Sequence, residues 1–197
     1  MNPQVDPHPL ARQVAQLLPG VSDDQLDAPT PCEDYPVAAL LAHLLGLSRA
    51  FRDAARKENT EWTATDPGRA TPVLDPRWRD ELPRALREVA DAWRDPEAWR
   101  GETQAGAITL PGEVAGQVAV NELLVHGWDL ARATGQRWEP DESALQVSYG
   151  LLGASTDPEG RSGMFGPVVP VPDTASLLDR AVGLSGRDPG WAPNGRT

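Results

Sequence analysis

Three side chains able to ligate a metal ion fall at helical spacing in two separate stretches of this sequence. Glu122 and His126 lie four apart in NELLVHGWDLARAT, Asn121 to Thr134. On a helix, residues at that spacing stand one above the other. His43 belongs to another helical stretch, where it shares a face with Leu40, Leu44 and Leu47. Two imidazoles and one carboxylate make three protein ligands. Three ligands leave positions open for water or substrate, the pattern of a catalytic Zn²⁺ centre rather than a closed structural one. The same donors suit Fe²⁺, Ni²⁺ or Mn²⁺, so the sequence does not select the ion. A buried Glu–His ion pair uses the same spacing, and periodicity by itself leaves both readings standing.

Other reactive residues are weighed beside this set. Asp129, three residues after His126, can act as a catalytic base, accept a hydrogen bond from a ligand imidazole, or bond between helices. Arg132 is placed to pair with Asp129 across one turn, a modest surface effect. Trp128 is expected to pack. Cys32 precedes a helix start, where a thiol pKa can fall; no base is paired with it, so a packing role is preferred. His8, between Pro7 and Pro9 near the terminus, is expected to be exposed.

These residues need helices to position them. Around Glu122, Val114, Val118, Leu123, Leu124, Val125 and Leu130 recur at helical spacing with no internal proline, so one helix is expected over Val114–Thr134 and Gly135 is its C-terminal stop. At about 100° per residue, Glu122, His126 and Asp129 share one face of it. Pro36 suits the first turn of the His43 helix, which is expected to run to about Lys57. Further helices are expected over about 6–18, 78–94, 141–153 and 174–183, the last capped by Asp173 or Thr174. Long connections fall at 59–76 and 96–112, where AITLP can hold a short extended piece, and a Gly/Pro-rich segment at 157–172. Strand alternation is almost absent. The expected fold class is an all-α four-helix bundle with long loops and additional C-terminal helices, one domain over 1–197 with a disordered or extended tail from about 187. Met164 and Phe165 with neighbouring prolines, or Trp62, are expected either to line an apolar mouth over the metal or merely to seal the bundle.

Composition narrows the partners. The 197 residues suffice for a sizeable core. A net charge of −11 argues against nucleic acid and against an anionic membrane surface. One cysteine excludes an intrachain disulfide and a Cys-rich zinc site. Of the 18 basic residues only Lys57 is lysine, a codon bias rather than a function. The N-terminus lacks a basic segment followed by an apolar run, and no apolar run approaches the roughly 18 residues of a membrane span, so a cytoplasmic protein is expected. Phosphate loops, GxSxG elbows and dinucleotide fingerprints are missing. The oligomeric state is not marked.

Three segments carry a family resemblance: TPCEDYPVAALLAHLLG (Thr30–Gly46), NELLVHGWDLARATGQ (Asn121–Gln136) and FGPVVPVPDTASLLDRAVGLSGRDPGW (Phe165–Trp191). Together they resemble the actinobacterial metal-binding proteins related to the N-terminal domain of mycothiol-dependent maleylpyruvate isomerase, within the DinB-like four-helix bundle superfamily. The resemblance implies metal ligands at His43, Glu122 and His126, the set that spacing selects. It also implies a low-molecular-weight thiol, mycothiol, used with a Zn²⁺-type ion for S-transfer to, or isomerisation of, a small electrophilic substrate. The further domain of that isomerase is too long for this chain, which leaves the substrate open. The alternatives are a hydrolase, isomerase or lyase in which a metal-activated water replaces the thiol, and a metal- or ligand-binding protein without turnover.

Overall fold

The His43 stretch becomes a helix because Pro36 takes an extended conformation as its N-cap and Val37 to Ala55 then buries one apolar stripe after another, with Val37, Leu40, Leu41, Leu44 and Leu45 in the core. It is α2 of a computed structural model that describes residues 5–65, 72–154 and 165–193. Before it, α1 spans His8–Leu17 and ends in a tight turn at Leu18–Gly20. After it come the short α3, Glu61–Ala64, and α4, Trp78–Ala92. The long helix expected around Glu122 is α5, Gly112–Thr134, closed by Gly135 in the left-handed conformation at φ 70°. Glycine adopts that conformation without the Cβ penalty.

Four of these helices form the bundle. α2 packs on α4 and α5, and α1 completes the ring by packing on the same two. α6, Glu142–Ala154, lies on α5, and α7, Leu177–Leu184, lies on α6. These are the additional C-terminal helices. The core joins Leu10 and Val14 of α1, Leu44 of α2, Leu82 and Leu86 of α4, and Leu123, Leu124 and Leu130 of α5. Burial of that kind stabilises each helix at roughly 25 cal/mol per Å² of apolar surface, far more than helix propensity does.

The connections depart from expectation in three places. AITLP belongs to a hairpin, in which β1 (Glu102–Ala105) pairs antiparallel with β2 (Ile108–Pro111), Glu102 opposite Pro111. The segment expected as loop over 59–76 contains α3; its residues 66–71 lie outside the described ones. The last helix starts later than expected, because Ser176 and not Asp173 or Thr174 is its cap, accepting from the Asp179 backbone N–H at 3.0 Å. No helix among the described residues is long and apolar enough to cross a membrane.

Candidate metal centre

α2 and α5 pack side by side, and their facing stripes bring His43 onto Glu122 and His126. His43 Nε2 lies 3.5 Å from Glu122 Oε2, and His126 Nε2 lies 3.2 Å from the same oxygen. One carboxylate oxygen thus faces two imidazole nitrogens, and the three donor atoms lie within 4.8 Å of one another. The two rings meet edge to face with centroids 4.8 Å apart. His43 and His126 keep 11% and 8% of their side chains exposed, and Glu122 keeps 23%.

Behind His126 stands a second layer. Its Nδ1 pairs with Asp129 Oδ2 at 2.9 Å, one turn along α5. Asp129 is fully buried, and its partner is the guanidinium of Arg187: Nη2 donates to Oδ2 at 3.2 Å and Nε to Oδ1 at 3.4 Å. Arg187 also donates from Nη1 to the Ser185 carbonyl, 3.0 Å away. A buried carboxylate is costly unless paired, and this pairing supplies the compensation.

The electrostatics follow from these contacts. Burial opposes the charge on Glu122, but hydrogen bonds from His126 and His43 outweigh it and hold the carboxyl well below its ordinary range. Burial likewise opposes charging of His126, yet Asp129 and Glu122 hold that imidazole up to about 9. His43 moves down, because burial exceeds the pull of Glu122. Two imidazoles of opposite tendency on one carboxylate make a set that can hold a proton or a divalent cation at the same point. The donor types fit a first-row divalent ion, with Asp129 orienting His126 as carboxylates commonly orient ligand histidines.

Several residues differ from their sequence assignments. Cys32 was assigned to packing for want of a base, but its sulfur and donor atoms of His126 and Asp129 lie within 4.8 Å of one another. Burial pushes the thiol up to about 11 against the pull of Arg187. Arg132 does not pair with Asp129; its Nε donates to the Trp191 carbonyl at 3.1 Å and its Nη2 to that of Pro189 at 3.3 Å. His8, expected to be exposed, is half-buried and pairs with Asp91 of α4 at 2.8 Å. Trp128 packs as expected, 4% exposed. Trp62 lies under the Arg49 guanidinium, 5.1 Å away, and Phe165 opens a segment that bonds to α7 through Val169 N–H and the Gly183 carbonyl. Met164 lies outside the described residues.

A cavity that shares Tyr35 with the site has other walls. It measures about 430 Å³ and lies between the connector before α2 and Trp191, with Tyr35 on its inner side. The Tyr35 ring packs on His43 with centroids 4.9 Å apart. Sequence reasoning missed Arg187, Tyr35 and Trp191 as site residues. No periodicity marks them, since none lies on a helix face, and only the CEDY and GRDPGW segments in which they stand gave a family signal.

Comparison with known proteins places this geometry in a family. The family described as mycothiol maleylpyruvate isomerase N-terminal domain matches residues 8–131. An uncharacterized protein of Mycobacterium tuberculosis, Rv0738 in strain H37Rv and MT0763 in strain CDC 1551, is 29% identical over 180 residues, 88% of this chain and 91% of the relative. The crystal structure of the mycothiol-dependent maleylpyruvate isomerase superposes with a TM-score of 0.53 at 21% identity, covering 90% of this chain and 87% of that one. A histidine-to-alanine mutant of that enzyme gives the same values. The shared fold is the DinB-like bundle.

Proposed function

The chain belongs to the mycothiol maleylpyruvate isomerase N-terminal domain family, and on that premise we propose that it is a metal-dependent enzyme. It activates a low-molecular-weight thiol, mycothiol, for S-transfer to, or isomerisation of, a small electrophilic molecule. The observation that carries the reading is the meeting of His43 Nε2, Glu122 Oε2 and His126 Nε2 at one point.

These three residues would hold a divalent ion, with Zn²⁺ favoured and Fe²⁺, Ni²⁺ or Mn²⁺ also suited to the set. Such an ion lowers the pKa of a thiol or water placed at its open position. The protein's own residues prepare that position. Asp129 accepts from His126 Nδ1 and so fixes the tautomer that turns Nε2 toward Glu122. Arg187 neutralises Asp129, so the carboxylate orients His126 without leaving an unpaired buried charge. Cys32 keeps its proton at neutral pH because of its burial, and supplies no rival thiolate beside the incoming thiol. Fully buried and engaged by both His126 and Arg187, Asp129 acts through His126, as a positioning residue.

The test is metal content by elemental analysis of the purified chain, followed by thermal shift and turnover with thiols. One equivalent of metal and thiol-dependent conversion of an electrophile are expected. Turnover that needs metal but no thiol would replace this reading with a water-activating enzyme. Metal without turnover would leave a binding protein.

A further inference from the structure

We propose that the cleft between the connector before α2 and Trp191 binds an organic cation, an ammonium group carried by the small molecule that reaches the donors. Only the last clause rests on the function proposed above.

The cleft has the size and walls for such a group. Its volume of about 430 Å³ falls within the roughly 300–1,000 Å³ of small-molecule sites. Two aromatic rings, Tyr35 and Trp191, two prolines, Pro29 and Pro36, and two carboxylates, Asp27 and Glu33, line it, and no basic side chain does. Both carboxylates are exposed, and among the described residues neither has an ion-pair partner. What distinguishes this pair of acids is its place on one cleft beside two aromatic rings. Aromatic faces attract a cation through their quadrupole. Carboxylates at the rim add long-range attraction and repel anions. An anionic molecule of similar size would meet two unpaired negative charges at the entrance.

The walls are set before any ligand arrives. Arg132 of α5 holds the carbonyls of Pro189 and Trp191. Trp191 N–H donates to the Asp188 carbonyl at 2.9 Å, and Gly190 N–H to the Asp188 carboxylate at 2.8 Å. On the other side, Thr30 Oγ1 donates to the Tyr35 carbonyl at 2.6 Å and accepts from Cys32 N–H at 3.1 Å. A pre-formed cleft loses little ordering entropy on binding. Tyr35 is shared between the two sites, because its ring lies on His43. Trp191 stands beyond the span that the family match covers, whereas Asp27, Glu33 and Tyr35 lie within it.

The experiment titrates the full chain with choline and with 3,3-dimethyl-1-butanol, its uncharged isostere, by calorimetry at low and high salt. Choline is expected to bind saturably, about tenfold more tightly than the isostere. Raising the salt should weaken it. Asp27→Asn combined with Glu33→Gln, both at exposed positions, should cost about tenfold with an unchanged melting curve, and Trp191→Phe, which keeps an aromatic face on the core, should cost less than Trp191→Ala. Equal binding of the two probes, unchanged affinity in the variants, binding of myo-inositol in place of choline, or no saturable choline binding would each overturn the proposal. Metal content is measured on the same samples. A chain that binds choline but holds no metal keeps the cation site and loses the function proposed above.

Discussion

His126 carries the most chemistry of any single residue, since it touches Glu122 with one nitrogen and Asp129 with the other. His126→Ala should abolish stoichiometric metal binding while the bundle stays folded, as judged by elemental analysis beside circular dichroism. Normal metal content would remove the ligand assignment. Asp129→Asn should weaken metal affinity by roughly 10–100-fold, measured by competition with a chelator. The proton on His126 gives a pH test. Its pKa is raised from 6.5 to about 9 in the folded chain. The stability it contributes to the metal-free protein is therefore fully present below pH 6.5 and is lost as pH rises through 9. Metal must displace that proton, so affinity should climb across the same window. A flat affinity between those limits would show that another group holds the proton.

At the scale of elements, α5 is decisive, because it carries Glu122, His126 and Asp129 and also the contacts that fix its rotation. Gly127 lies against Trp138, and a Cβ there would come within 2.5 Å of the indole. Gly127→Ala should cost about 1–3 kcal/mol by overpacking and lower metal affinity by turning His126, read from denaturant unfolding and the chelator competition together. Full stability in that variant would mean that Trp138 moves aside freely. Helix existence was legible from periodicity, since an apolar stripe at 3.6-residue spacing must be buried. The hairpin was less so: four-residue strands are too short to show alternation, and pairing across a turn through Ala107 at φ 65° is a tertiary outcome.

Over the whole molecule, the C-terminal segment is clamped to α5 at two points. Asp129 holds Arg187, and three residues on Arg132 holds the carbonyls of Pro189 and Trp191. The stretch expected as a tail from about 187 is therefore laid against the bundle over 187–193. Gly186 makes the turn that delivers Arg187, at φ 89°, with its Cβ position 2.8 Å from Gly166. Arg132→Gln should loosen the end of this segment at a cost of about 1–2 kcal/mol and expose 189–193 to limited proteolysis, with Arg187 still held by Asp129. Resistance equal to the unchanged chain would show that other contacts hold it. Removing metal is a global test as well. With free metal at 100 times its Kd, binding contributes about 2.7 kcal/mol, so chelation should lower the melting temperature by about 5–10 °C. No shift would mean that no ion is held at the point where α2 and α5 meet.

What the sequence by itself determined is local and periodic. The helices of the bundle, the glycine that closes α5, and the shared face of Glu122, His126 and Asp129 all follow from spacing along one chain segment. Spacing also put His43 on a buried helix face, whereas its meeting with Glu122 came from the packing of α2 on α5. Which groups stand behind and beside those donors was decided by the tertiary structure alone. Arg187 is 58 residues from Asp129, and Tyr35 reaches His43 from a connector with no periodicity. Such contacts depend on where irregular segments end in space, and residue types in those segments carry no repeat from which a face can be read.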